Sequence, residues 1–577
     1  MLQVKDFPQT MAHMEIDRSD MKKCLVSGLF REQVEWGGRT RTFYTYLAPG
    51  LTYDRNCLIV APPDDVPVLE YIENGFWREF ADQEQIFLHF LEPEGRWNLD
   101  GSDADYMNQV YIQVQSRTCY VTIQDNVYAV GIGKGATVAQ QALMDMTSEW
   151  SGLATFGDLE DAAMNNAVTT RQAQDMGQVE LTVSASKAQL PVWMLWSEPA
   201  KANKAVKDYW KKQNDAGEER FSNEAADEIY FPSTVYKKSS VNEEKIAQVR
   251  ITSHFSLEPG KNLPPELFRT VWQFLAMARR HRCYGQKALR NYMEPEAYGA
   301  RLYTMEHQGF TRLWYEYVPE HVKEAGVPVP LVVCMHGRGG SAESFLDLSG
   351  LSRVAEERDF IAVFPESGIY QQRPGGIRNV LCWNGACQNE ERDDVAFILK
   401  VIEDVKRRYA IDEGRIYACG QSSGGAMTSR LAMDAPRVFA AVSPWSAIKE
   451  PQRRIPLPET MDPPVPYLFL LGEHDWLCVD KDKGELEYRV TPDIAEFIRN
   501  LIRIYGLGET PRKYRCGEIQ YYVYVNEKQT PMLTVGTVKD MSHANYPRES
   551  WIAYDEFFSR FSRAEDGALL YMGEPAV

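Results

Sequence analysis

The stretch Tyr128–Asp145, YAVGIGKGATVAQQALMD, aligns without a gap on Tyr417–Asp434, YACGQSSGGAMTSRLAMD. Tyr128 falls on Tyr417, Ala129 on Ala418, Gly131 on Gly420, Gly135 on Gly424, and Met144–Asp145 on Met433–Asp434. Each copy reads as an apolar strand, a tight glycine turn and an amphipathic helix. That unit belongs to parallel sheets, whose neighbouring strands need a helical crossover between them. Two copies in one chain imply two such sheets.

The likeness extends outward. RTRTFYTYLAP (Arg39–Pro49) parallels FTRLWYEYVPE (Phe310–Glu320), and NCLIVAPPDD (Asn56–Asp65) parallels PLVVCMHGRGG (Pro330–Gly340). FADQEQIFLHFLEPEG (Phe80–Gly95) parallels VAEERDFIAVFPESG (Val354–Gly368), and LPVWMLWSEPA (Leu190–Ala200) parallels VPYLFLLGEHD (Val465–Asp475). Short buried strands alternate with helical segments in both halves. The expected fold class is therefore α/β: two tandem domains, each a mostly parallel sheet with helices on both faces. The first domain is expected over residues 1–286 and the second over 300–577, joined by a charged, Pro-bearing linker at 287–299. Ala202–Glu244 is polar and charge-rich and reads as a helix followed by an insertion.

A chain of 577 residues with 44% hydrophobic and 12% aromatic residues has ample material for two cores. Its formal net charge of -18 argues against nucleic acid or anionic membrane as partners. The N-terminal MLQVKDFPQTMAHMEIDRSDMKK lacks the apolar core of a signal peptide, so a cytoplasmic location with reduced thiols is expected, including Cys382 and Cys387. No apolar run is long enough to span a bilayer. The cysteine and histidine spacing suggests no metal site, and no cofactor is expected. Nothing in the composition decides between a monomer and a homo-oligomer.

GQSSG (Gly420–Gly424) satisfies Gly-x-Ser-x-Gly in the strand–turn–helix setting that the motif requires. Such a turn presents Ser422 on a strained corner at a helix N-terminus, where developing negative charge is favoured. A serine hydroxyl is a weak nucleophile and needs a base, usually histidine. In the α/β-hydrolase order the acid and the histidine follow the serine. Only His474 and His543 lie downstream. His543, in the loop KDMSHANYP after an apolar strand, is the better-placed base. The acid is expected at the end of the strand PYLFLLGEHD: Asp475 first, Asp480 second and Glu473 third. One oxyanion donor is the N–H of Ser423. The other is expected from HGRGG (His336–Gly340), with Arg338 preferred over Gly339.

These features resemble the α/β-hydrolase esterases grouped as polyhydroxybutyrate depolymerase, feruloyl esterase and acetyl xylan esterase. The matching elements are HGRGG, CWN (Cys382–Asn384), RDDVAFILKVIEDVKRRYAID (Arg392–Asp412), GQSSGGAMT and the His-x-x-x-Pro run His543–Pro547, covering most of Phe310–Arg563. The resemblance implies a serine carboxylesterase with Ser422, His543 and Asp475 as its triad and no cofactor. It makes Trp383 a candidate wall of the acyl pocket. His336 and Gln421 join Trp383 as candidate substrate-binding residues. Feruloyl-, acetyl- or other small or oligosaccharide-linked esters become the expected substrates. A serine peptidase of the same fold, a polyhydroxybutyrate-type depolymerase and a non-catalytic scaffold are the alternatives.

Mapped back through the repeat, Ser422 falls on Gly133, Asp475 on Ala200, His543 near Lys261, and HGRGG on PPDD. Nucleophile, acid, base and oxyanion loop are all replaced, so the first domain is expected to be a degenerate copy. GIGKGA invites a nucleotide reading. A Walker loop would need a glycine at Tyr128 and Ser or Thr at Gly135. A dinucleotide fingerprint on Gly131, Gly133 and Ala136 fits formally, but the alignment with the serine elbow accounts for the same glycines.

Overall fold

The computed structural model describes residues 3–8, 14–116, 126–165, 171–175, 179–183, 188–233, 245–281, 288–292, 294–370, 380–385, 392–447, 461–475, 492–539 and 541–577. Asp480, Gln286 and Cys387 lie outside these residues.

In the first domain we label β1 (Gly28–Trp36), β2 (Arg39–Leu47), β3 (Cys57–Ala61), β4 (Phe87–Leu91), β5 (Val127–Ile132), α1 (Lys134–Asp145), β6 (Gly152–Phe156), β7 (Val192–Leu195) and β8 (Val249–Thr252). In the second we label β9 (Ala300–His307), β10 (Phe310–Tyr317), β11 (Val329–Met335), β12 (Ile361–Pro365), β13 (Ile411–Gln421), α2 (Ser423–Asp434), β14 (Ala441–Trp445), β15 (Tyr467–Gly472) and β16 (Pro531–Val538). Among the described residues each domain holds one ten-stranded sheet, of which eight strands correspond: they run β1-β2-β4-β3-β5-β6-β7-β8 in the first and β9-β10-β12-β11-β13-β14-β15-β16 in the second. The strand senses agree as well. The opening hairpin and its neighbour are antiparallel, and from β4 to β8, as from β12 to β16, every pairing is parallel.

Continuous apolar runs make the parallel strands. β3, β4, β5, β11, β12 and β15 are buried at every position, as strands covered by helices on both faces must be. The chain is thus two tandem α/β-hydrolase-like domains. A buried tyrosine repeats the correspondence in detail: the Tyr128 hydroxyl donates to Ala278 O at 2.6 Å and the Tyr417 hydroxyl to Phe561 O at 2.7 Å.

The expected linker is not a plain connection. Ala288–Asn291 pairs antiparallel with Ala278–His281, and Pro295–Tyr298 forms a helical turn. In the expected insertion, Lys201–Gln213 is a helix and Glu228–Tyr230 pairs beside β8. The two domains meet through both apolar and charged groups. Phe310, Ile369 and Leu381 of the second domain join the first domain's core. Arg18 accepts from Thr311 N–H at 2.8 Å through its carbonyl and lays its guanidinium over the Phe310 ring. Deeper in, Lys22 and Arg279 of the first half face Glu366 and Glu343 of the second.

Candidate active site

The candidate residues gather beyond the carboxyl ends of parallel strands, where α/β sheets place their ligands. Ser422 follows β13, Asp475 follows β15, His543 follows β16, and the loop from His336 follows β11. Ser422 Oγ lies 3.0 Å from His543 Nε2, and His543 Nδ1 lies 3.0 Å from each Asp475 oxygen. Asp475 is fully buried and His543 nearly so, while Ser422 is half-buried.

The elbow explains the serine's presentation. Ser422 sits at φ 53°, ψ -115°, and its N–H donates to Trp445 O at 2.9 Å. A non-glycine residue there stores strain that the surrounding turn must hold. Gly424 lets the turn cross β11: a Cβ on it would stand 2.2 Å from Met335 O and 2.6 Å from His336 O. Ser423 opens α2, so its N–H has no acceptor within the helix.

The histidine loop is stitched to the acid loop. His474 N–H donates to Met541 O at 2.8 Å, and the Ser446 hydroxyl donates to Ala544 O at 3.0 Å. Ser446 itself adopts φ 46°. Farther along, the Asn545 side chain and the Tyr546 N–H both donate to the buried Glu549 carboxyl, at 2.5 and 3.0 Å. Burial pushes the Glu549 pKa up from 4.5 to about 8 despite these bonds, so this carboxyl is protonated at neutral pH.

A raised carboxyl pKa means that the folded state holds its proton while the unfolded state releases it. Stability is then fully present below the ordinary value of 4.5 and is lost as pH rises through about 8. The slope is roughly 1.4 kcal/mol per pH unit. Melting temperatures from pH 5 to pH 8 are therefore expected to fall more steeply for the wild type than for Glu549→Gln. Equal slopes would show that Glu549 does not hold its proton.

The structure distributes the remaining expected residues unevenly. Gly339 N–H donates to Leu381 O at 2.8 Å, so it is engaged away from any substrate and Arg338 remains the loop's donor candidate. His336 was expected on the substrate side, but it is only 1% exposed. Its Nδ1 meets Gly337 O at 2.7 Å and its Nε2 accepts from Ser367 N–H at 3.1 Å, which sets the ring behind the loop. Trp383 is buried too, and its indole N–H donates to His336 O at 2.9 Å as a prop of the same loop. Gln421 presses its side chain on Gly337, where a Cβ would meet Oε1 at 2.1 Å. Glu473, half-buried at the strand end, donates its N–H to Val538 O, and the His543 contact is made by Asp475 instead.

In the first domain the same turn is built with glycine in the serine's place. Gly133 holds φ 58°, ψ -127°, and its N–H donates to Phe156 O at 2.8 Å, as Ser422 does to Trp445. A Cβ on Gly133 would meet Pro63 at 3.5 Å and Leu257 at 3.6 Å. After β8 it is Leu257, in the neighbourhood of Lys261 to which the alignment pointed, that stands against the elbow. Apolar side chains occupy the space where a base and an oxyanion loop would stand. Gly135, under the turn, would drive a Cβ to 2.2 Å from Ala61 O. Among the described residues no cluster of metal-ligating side chains occurs and no helix is long and apolar enough to cross a membrane.

Residues 316–452 match the family model described as Esterase PHB depolymerase. A feruloyl esterase B from Thermothelomyces thermophilus is 28% identical over 138 residues, 23% of this chain and 43% of that protein. A poly(3-hydroxyalkanoate) depolymerase C from Paucimonas lemoignei is 26% identical over 239 residues, 38% of this chain and 56% of that protein. The chain therefore spans about half the length of these relatives. Among solved structures, an acetyl xylan esterase from Aspergillus awamori aligns with a TM-score of 0.32 at 16% identity, over 45% of this chain and 99% of that one.

Proposed function

We propose, from the premise that the second domain belongs to the esterase group of polyhydroxybutyrate depolymerases, feruloyl esterases and acetylxylan esterases, that this chain hydrolyses carboxylic esters through an acyl-enzyme on Ser422. The observation that carries the reading is the unbroken line Ser422 Oγ–His543 Nε2 and His543 Nδ1–Asp475, with each step at 3.0 Å. His543 takes the proton as Ser422 attacks the ester carbonyl. Asp475 fixes the tautomer and offsets the imidazolium charge. The N–H groups of Ser423 and Arg338 receive the oxyanion, and each such donor lowers the barrier by roughly 3 kcal/mol. The alcohol departs with the proton from His543, and water then releases the acid by the same route in reverse.

Feruloyl-, acetyl- or similar small or sugar-linked esters are the substrates we propose, on the likeness to the relatives above. The first domain is on this reading a degenerate copy of the second, with a structural role. A fluorophosphonate probe is expected to label one peptide, the one bearing Ser422. A panel of feruloyl, acetyl, hydroxybutyrate and peptide substrates is expected to show turnover on an ester and none on the peptide. No labelling together with no ester turnover would sink the proposal.

A further inference from the structure

We infer that Lys22, a residue of the first domain, is a positioning residue for the oxyanion loop of the second, acting through Glu366 and His336. The inference rests on the esterase reading above. It gives the domain without chemistry a part in the neighbouring domain's transition state.

Lys22 is built into the first domain with little freedom. Its carbonyl accepts from Tyr53 N–H at 2.9 Å, and the next residues pair with the loop after β2, Cys24 N–H donating to Leu51 O at 2.7 Å. Its ammonium donates to Asp54 Oδ2 at 2.5 Å, and the Thr52 hydroxyl donates to the other Asp54 oxygen at 2.6 Å. From there Lys22 Nζ reaches across the interface to 4.0 Å from Glu366 Oε2, with its side chain only 13% exposed. Burial alone would pull the lysine pKa down, but Asp54 and then Glu366 hold it above its ordinary value, so the charge stays.

Glu366 is equally fixed. Its N–H donates to Leu313 O at 3.0 Å, its carbonyl accepts from Arg312, and Oε2 accepts from Ala342 N–H at 3.1 Å. Its other oxygen stands 2.7 Å from His336 Nε2. Ser367 N–H approaches that same nitrogen at 3.1 Å, and Nδ1 is turned to Gly337 O. A buried carboxylate packed against an imidazole edge and a single backbone N–H is stabilised by a cation on its remaining side. Arg312 is turned to Asp394 at 3.0 Å. Lys22 is the cation that faces the Glu366 oxygen on the interface side.

Removal of that charge leaves the Glu366 carboxyl without its neighbour on the interface side, and a carboxyl that swings away releases Ala342 N–H or the His336 ring. His336 begins the loop whose next two residues are Gly337 and Arg338, the proposed oxyanion donor. A donor displaced by a fraction of an ångström serves the transition state poorly and the ground state scarcely less well than before. The expected signature is therefore a loss in kcat with KM nearly unchanged.

The test uses the full chain and p-nitrophenyl acetate. Lys22→Met is expected to lower kcat roughly 10- to 100-fold with KM within about twofold, and to weaken inhibition by phenylboronic acid, which forms a tetrahedral adduct on serine, by a similar factor. Lys22→Arg is expected to recover most of both. Should Lys22→Met be insoluble, Glu366→Gln reads the same coupling from the second domain, with the same kcat and boronate losses expected. Folded Lys22→Met, or folded Glu366→Gln in its place, with wild-type kcat and boronate affinity would overturn the inference, even if its melting temperature fell. Absence of wild-type turnover would remove the esterase reading and this inference together, whereas an active wild type matched by its variants removes this inference alone.

Discussion

Ser422→Ala is expected to lower kcat/KM for ester turnover by roughly 10⁵-fold. The size follows from how completely the mechanism funnels through one oxygen. His543 Nε2 meets Ser422 Oγ at 3.0 Å, and the fully buried Asp475 meets its other nitrogen at 3.0 Å. Without the hydroxyl, the imidazole can at best activate a water, a weaker route than attack by a held serine oxygen. The proposed oxyanion donors survive the substitution, which is why residual turnover above background is expected rather than zero. The second elbow cannot substitute, since Gly133 offers no nucleophile and stands against Pro63 and Leu257. Steady-state hydrolysis of p-nitrophenyl acetate by the purified variant is the measurement, with its melting temperature as a check on folding. More than one per cent residual activity would place the nucleophile elsewhere.

The second large effect is on stability and falls in the first domain. Gly135→Ala is expected to destabilise the first domain by about 3 kcal/mol or more. Its Cβ would lie 2.2 Å from Ala61 O and 2.7 Å from Pro62 O, both backbone atoms that cannot turn aside. The strand–turn–helix would have to lift off β3, taking with it the all-buried helix face from Ala136 to Met144. Thermal unfolding is expected to show a transition shifted down by several degrees relative to wild type. An unshifted transition would mean that the turn is more pliable than its contacts indicate. ATP and NAD are expected to leave the wild-type transition where it is, because the glycines of GIGKGA serve close packing and no phosphate.

The paired apolar stretches of the sequence land on equivalent strands: β2 with β10, β3 with β11, β4 with β12 and β7 with β15. They were legible because strands buried on both faces need continuous apolar runs, and two such runs in the same order are hard to mistake. The elbow, the strand-end aspartate and the loop histidine were legible for a related reason. Each lies just beyond one of those runs, where the sheet ends. Other features had no local signal. The edge strand Arg512–Cys516 is exposed at all five positions and carries no apolar pattern. ESWIAYDEFFSRF reads as one regular helix, yet its middle, Ile552–Phe557, winds as a π-helix. The cluster of Lys22, Asp54, Glu343 and Glu366 draws on positions hundreds of residues apart, each of which reads alone as a surface charge.

The two elbows share a backbone shape and differ in what occupies it. At φ 53° Ser422 is held in a conformation that an L-residue resists, whereas Gly133, at φ 58°, takes nearly the same one freely. If the first domain is a copy that has shed its reaction, selection there no longer protects an awkward serine, and drift will settle on the residue for which the corner is easiest. A nucleophile elbow that has fallen idle should therefore decay toward glycine before its fold decays at all. Gly133 between intact β5 and α1 is what such a history leaves behind.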